Sequence, residues 1–216
     1  MTFIAVNGSA RKRWNTATLL QECVKGAEST GSDTQLINLY DLDFKGCTSC
    51  FACKLKNGKS YGRCAIQDDL TPILEAIEKK ADVLVLGSPI YFSDMTGEMR
   101  SFLERLLFAP HVYSLPERTL FPRRIKTAFI YTMNVTKEMF ARTNYETIMQ
   151  ETKRILERTF GYSETYRCYD TYQFDDYSKV EMEIFDPKQK AISREKAFPV
   201  DCKNAFGIGS RLCTRD

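Results

Sequence analysis

Histidine and tryptophan are nearly absent from this 216-residue chain, with one of each, His111 and Trp14. A single histidine cannot supply a catalytic relay by itself, and no Gly-x-Ser-x-Gly elbow offers a hydrolase nucleophile. Long apolar runs are missing too, so no segment reads as a membrane span. Residues 1–8 lack the basic lead-in of a secretory signal, and the expectation is a cytoplasmic protein. Charge of one sign is not in excess: 31 Lys and Arg face 28 Asp and Glu, a formal net charge of +3. That balance, without blocks of like charge, gives no case for a nucleic-acid or membrane partner. Gly-x-Gly-x-x-Gly is absent, which removes the dinucleotide fingerprint. A Walker loop is absent as well, because Gly58-Lys59-Ser60 has Cys53 where its first glycine should stand.

What is present is an alternation of short apolar runs with helical periodicity. Phe3, Ile4, Ala5 and Val6 read as a buried strand, and residues 16–28 as a helix with Leu19, Leu20, Val24 and Ala27 on one face. Residues 34–39, 83–86, 127–132 and 164–172 read as further strands. Residues 70–80, 97–108 and 137–160 read as helices, with at least one more within 188–212. Strands alternating with helices predict an α/β architecture, a five-stranded parallel sheet covered on both faces. No repeat or linker divides the chain, so residues 1–216 read as one domain. The stretch 40–69 is too long for an ordinary connection, and such loops usually carry function.

Two loops stand where a doubly wound sheet binds ligands, beyond the carboxyl ends of its strands. The first runs Asn7-Gly8-Ser9-Ala10-Arg11-Lys12-Arg13-Trp14-Asn15-Thr16 and opens a helix. Unpaired helix N–H groups make such a loop an anion site; Ser9, Asn15 and Thr16 add hydroxyl and amide donors and Arg11 a charged fork. By itself this loop reads first as a helix cap. The second runs from Gly87 through Pro89, Ile90, Tyr91 and Phe92 to Thr96 and Gly97. Its aromatics offer a flat shelf, and Thr96-Gly97 offers exposed N–H groups. A phosphate grip beside an aromatic shelf suits a flat ring carrying a phosphate tail.

Eight cysteines are many for such a chain, and four fall in one run, Cys47-x2-Cys50-x2-Cys53-x10-Cys64. Without a secretory signal, metal binding, redox chemistry or buried thiols are better readings than disulfides. Thiols at i, i+3 and i+6 let one compact loop wrap several iron corners. Structural zinc is second choice, since it more often uses two separated Cys-x2-Cys pairs, and reduced thiols stay open. Asp68 and Asp69 read as a helix cap and first-turn carboxylate. The aromatic-rich stretch 162–185 reads as strand and core, or as part of a subunit interface.

Together these segments resemble the NAD(P)H-dependent FMN reductase and iron–sulfur flavoprotein group of flavodoxin-like proteins. The first loop resembles that group's Gly-Ser-Pro-Arg-Lys-x-Gly-Asn-Thr as Gly8–Thr16, with Ala10 in place of the proline and Trp14 in place of the second glycine. The second keeps Ser-Pro-x-Tyr-Phe as Ser88–Phe92, followed by Gly97, Phe102 and Arg105, with Arg100 where the group has lysine and Glu104 where it has aspartate. The resemblance implies a three-layer flavodoxin-like fold and FMN as cofactor. Ser9, Arg11, Asn15 and Thr16 would hold the phosphate. Pro89, Ile90, Tyr91 and Phe92 would line the isoalloxazine, with Thr132, Met133 and Asn134 completing the ring site. It also implies a [4Fe–4S] cluster on Cys47, Cys50, Cys53 and Cys64, and NAD(P)H as co-substrate. A small-molecule electron donor or acceptor or a ferredoxin-like protein would be the redox partner, and the assembly a homodimer or homotetramer. A flavin electron carrier or redox sensor without turnover is the alternative.

Overall fold

The computed structural model describes residues 1–116 and 118–214. Five strands, β1 (Thr2–Asn7), β2 (Asp33–Asn38), β3 (Val83–Tyr91), β5 (Ile125–Thr132) and β6 (Gly161–Cys168), pair in the order β2-β1-β3-β5-β6. All four pairings are parallel, and a two-residue strand β4 (Asp94–Met95) folds back antiparallel on the end of β3. The expected five-stranded parallel sheet is therefore present. After β2 the chain returns to the other side of β1, which places the topological switch between β1 and β3.

Side chains alternate across the sheet with period two. Ile4, Val6, Leu84, Leu86 and Phe129 face one layer, with Ile77 of α2 (Thr71–Lys80), Phe102 of α3 (Gly97–Phe108) and Leu156 of α5 (Tyr145–Phe160). Phe3, Ala5, Val83, Val85 and Ile130 face the other, with Leu19 and Leu20 of α1 (Asn15–Glu28) and Ile208 of α7 (Phe198–Leu212). Burial on both faces is why β1 and β3 read as continuous apolar runs. The two helices of the second layer touch backbone to backbone: a Cβ at Gly26 would stand 2.0 Å from the Phe206 carbonyl oxygen, and one at Gly209 1.8 Å from that of Cys23. Only glycine permits that approach.

Beyond shifts of one or two residues at element ends, several boundaries differ from the sequence reading. β3 continues to Tyr91, so Ser88–Tyr91 is strand rather than loop; Ser88 and Pro89 pair with Tyr131 and Thr132. The long helix at 137–160 is two, α4 (Lys137–Phe140) and α5. Thr143 accepts the amide of Tyr145 there, and such side-chain bonds to backbone favour a helix start over continuation. β6 begins at Gly161, whose left-handed φ of 104° ends α5 and turns directly into the strand. It ends at Cys168, so residues 169–172 are irregular. The final helical stretch comprises α6 (Pro187–Ile192), a π-turn at Ser193–Ala197 and α7. No described helix is long and apolar enough to cross a membrane.

Candidate functional site

The loop after β1 is held by its own polar side chains. Asn7 accepts the amide of Ser9 at 3.0 Å and donates to Asn38 at 3.0 Å; Ser9 Oγ accepts the amide of Arg11 at 3.2 Å. Ser9, Asn15 and Thr16 are buried at the start of α1. No side chain caps α1, whose N-cap is Trp14, so its first-turn N–H groups keep their capacity for an anion. Thr16 Oγ1 lies 2.7 Å from Thr132 Oγ1, joining this loop to the end of β5.

Ser9, Arg11, Asn15 and Thr16 line one cavity with Pro89, Ile90, Tyr91, Thr132, Met133 and Asn134, ten of the thirteen residues expected around a flavin. The other three are not in its lining. Phe92 sits at the hairpin tip with φ of 47°, its side chain wholly exposed. Thr96 is buried and ties the loops together: its Oγ1 donates to the Gly8 carbonyl at 2.7 Å and accepts the Met99 amide, capping α3. Gly97 opens that helix.

A wall that the sequence did not announce comes from residues 171–173. Thr171 and Gln173 line the cavity, and the carbonyls of Tyr172 and Gln173 collect the loop's donors. Asn15 Nδ2 reaches Tyr172 O at 2.8 Å, Trp14 Nε1 reaches it at 2.9 Å, and Arg11 donates to Gln173 O at 2.5 Å. Arg194 donates to Asn15 Oδ1 at 3.0 Å, and the Arg11 guanidinium stacks 3.7 Å from the Trp14 ring centroid. With these carbonyls in place the cavity measures about 120 Å³. Trp14, the departure from glycine, is the anchor of this wall. Nothing local in residues 171–173 or 194 marks them, because backbone carbonyls and a lone arginine carry no motif.

Around the cysteines the chain is irregular apart from one 3₁₀ turn, Ala52–Lys54. Cys47, Cys50, Cys53 and Cys64 all border one small cavity of about 20 Å³, walled also by Glu104, Arg105 and Phe108 of α3. Among the described residues, no three thiol, imidazole or carboxylate groups are gathered closely enough to hold a metal ion. Two cations fasten this loop. Lys54 donates to the carbonyls of Phe108, Ala109 and His111, closing the end of α3. Arg105, fully buried, spends all five of its N–H donors: on Cys64 Sγ (2.8 Å), Lys45 O (2.8 Å), Ile66 O (3.3 Å) and both oxygens of Asp68 (2.8 and 3.1 Å). It thus clamps the segment before the first cysteine to the segment after the last.

Burial pushes the Asp68 carboxyl up, but the hydrogen bond and charge of Arg105 outweigh it and hold the group below its ordinary value. Asp68 therefore serves Arg105 as well as accepting the Leu70 amide, and Asp69 accepts the amide of Asp43. Burial raises the Cys53 thiol, as it does Cys23 in the core. A roomier cavity of about 330 Å³ lies beyond Cys64, but charged groups in its wall are already paired, Arg63 with Glu78, Glu75 with Lys79 and Arg105 with Asp68.

Residues 1–122 match the family model of NADPH-dependent FMN reductases. The chain belongs to that family. An iron-sulfur flavoprotein of Methanocaldococcus jannaschii is 33% identical over 105 residues, 49% of this chain and 51% of that one. One of Archaeoglobus fulgidus is 36% identical over 105 residues, 49% of this chain and 48% of that one. These alignments span about half the length of the curated relatives matched. Among solved structures, an NAD(P)H:quinone oxidoreductase from Methanothermobacter marburgensis superposes with a TM-score of 0.69 at 16% identity, covering 100% of this chain and 98% of that one. An azoreductase from Bacillus anthracis gives 0.65 at 12%, covering 98% and 99%. At such identities the likeness is one of fold, and it includes a flavodoxin from an archaeon. The FMN reductase family match spans the β1 loop, the end of β3 and all four cysteines; the Thr132–Asn134 turn and the 171–173 wall lie beyond it.

Proposed function

We propose that this chain binds FMN in the cavity between the β1 loop, the end of β3 and the end of β5, and acts as an oxidoreductase. One observation carries the reading: uncapped helix N–H groups, an apolar shelf and a buried acceptor without a protein partner, Asn134 Oδ1, border a single cavity. The donor set suits a phosphate monoester, since Trp14 and Asn15 converge on Tyr172 O, Arg11 reaches the neighbouring Gln173 O, and the uncapped start of α1 holds Asn15 itself. An FMN-sized ligand needs more than the present volume, on the order of 300 Å³ or above. Its phosphate oxygens would take over the donors now held by Tyr172 and Gln173, so that no N–H is left unsatisfied in either state.

Bound FMN would supply hydride and single-electron chemistry, and this chain orientation and electrostatics. Pro89, Ile90 and Tyr91 would fix the ring plane, and Thr16 with Thr132 would keep the two loops in register. NAD(P)H is the donor we assign, with a small-molecule acceptor or a ferredoxin-like protein as partner, in a cytoplasmic homo-oligomer. We assign the four cysteines to an iron–sulfur cluster. The chemistry of the site supports this: four thiols border one cavity with apolar walls of Phe51 and Phe108, and a buried guanidinium offsets negative charge beside Cys64. The thiols would have to draw together for this, the exposed Cys50 furthest, since among the described residues no three are gathered closely enough as they stand.

Anaerobic purification with an absorbance spectrum and iron and sulfide analysis tests both assignments. Flavin bands are expected, with iron and acid-labile sulfide in the same fractions. Absence of flavin together with no uptake of added FMN overturns the first; flavin without iron overturns the second. Arg11→Ala should weaken FMN binding about tenfold or more, the worth of a charged hydrogen bond, read by fluorescence titration.

A further inference from the structure

We propose that the side-chain carbonyl of Asn134 accepts the ring imide N–H of the bound flavin, and that Lys190 is the positioning residue that reserves it for that purpose. The inference rests on the flavin reading above and adds the group that reads the polar edge of the ring.

The turn after β5 offers three successive main-chain carbonyls, and each is already taken from behind. Thr171 donates to Met133 O twice, from its amide at 3.0 Å and its hydroxyl at 3.1 Å. Lys190 Nζ donates to Asn134 O. The Asp170 amide donates to Val135 O at 2.9 Å. Asn134 itself lines the cavity, and its side-chain Oδ1 is covered by protein and has no hydrogen-bond partner. Buried acceptors are rarely left so, and on a residue that lines a binding cavity a small side-chain turn would present this one to a donor on the ligand. An oxidised isoalloxazine has a single ring N–H, the imide, so the partner is chemically defined.

Lys190 makes the arrangement stable. It is 1% exposed, and its ammonium group lies 2.5 Å from Asp170 Oδ1 and 4.5 Å from the Phe185 ring centroid. Asp170, held at a left-handed φ of 50°, also accepts from Ser193. The ion pair thus ties α6, the stretch after β6 and the Asn134 turn into one unit. None of these residues lies in the segment that matches the family model. Turning the Asn134 carbonyl back toward the cavity would leave a buried ammonium short of an acceptor, so the main chain cannot substitute for the side chain.

The test compares FMN with 3-methyl-FMN, which lacks the imide N–H, by fluorescence titration of the flavin-free protein. Wild type should bind FMN about tenfold or more tightly than the methylated probe. Asn134→Leu should lose about tenfold toward FMN and bind both probes alike. Because Lys190→Met alone strands the Asp170 carboxylate, the pair is replaced together, Lys190→Met with Asp170→Asn. That variant should keep its far-ultraviolet circular dichroism and shed the discrimination, which a merely structural role would not move. Equal affinities in wild type, or discrimination surviving in Asn134→Leu, overturn the role of Asn134. Discrimination surviving in the paired variant overturns that of Lys190. If wild type binds neither probe, the flavin reading itself fails, an outcome distinct from binding without discrimination.

Discussion

The cavity at the strand ends and the cysteine loop both draw on irregular backbone, yet they are held in opposite ways. The cavity draws on segments spread from Ser9 to Gln173, each rooted in a strand end or helix start that the core already fixes. The cysteine loop is one continuous stretch, and it depends on two cations, Lys54 and Arg105, meeting the carbonyls, carboxylate and thiol around α3. A site built on the sheet inherits the stability of the fold. A site built on one loop has only its own fastenings, and can open without the rest.

Arg105→Met is the strongest test of that contrast. It strips five hydrogen bonds and leaves Asp68 without its charge partner, which should cost about 3 to 5 kcal/mol and lower Tm by on the order of 10 °C. Hydrogen exchange should rise across residues 45–68 while FMN affinity stays within about threefold, since the pocket shares no wall with Arg105. An equal loss at both places would mean that the two regions are one cooperative unit.

A smaller effect follows from pH. Asp68 is held below its unfolded-state pKa of about 3.9, so its stabilisation is complete above that value and is lost as pH falls through the folded one. Thermal melts of wild type should therefore fall more steeply below about pH 4 than those of Asp68→Asn, with parallel curves between about pH 5 and 7. Parallel curves throughout would remove Asp68 from the clamp.

Phe92→Ala should do least. A wholly exposed side chain at a hairpin tip contributes within about 0.5 kcal/mol, and FMN affinity should change by less than about twofold. A tenfold loss would extend the ring shelf beyond Tyr91 and return Phe92 to the role that resemblance assigned it.

Local pattern determined a good deal here. The apolar runs at Phe3–Val6 and Val83–Leu86 marked strands buried on both faces, because period and composition report burial directly. The loops that follow them announced themselves through donors beside a helix start, and the cysteines through spacing alone. Tertiary structure decided the rest. It turned Thr96 inward as a tie between loops, lifted Phe92 out of the cavity, and brought the carbonyls of Tyr172 and Gln173 across more than 150 residues onto Arg11 and Asn15. It also set Lys190 behind Asn134. The reason is that main-chain carbonyls are alike at every position, and a buried lysine reads as an exposed one until its partner is in place. Which carbonyl meets which donor depends on where the sheet and helices carry the chain, and residue types alone do not encode that.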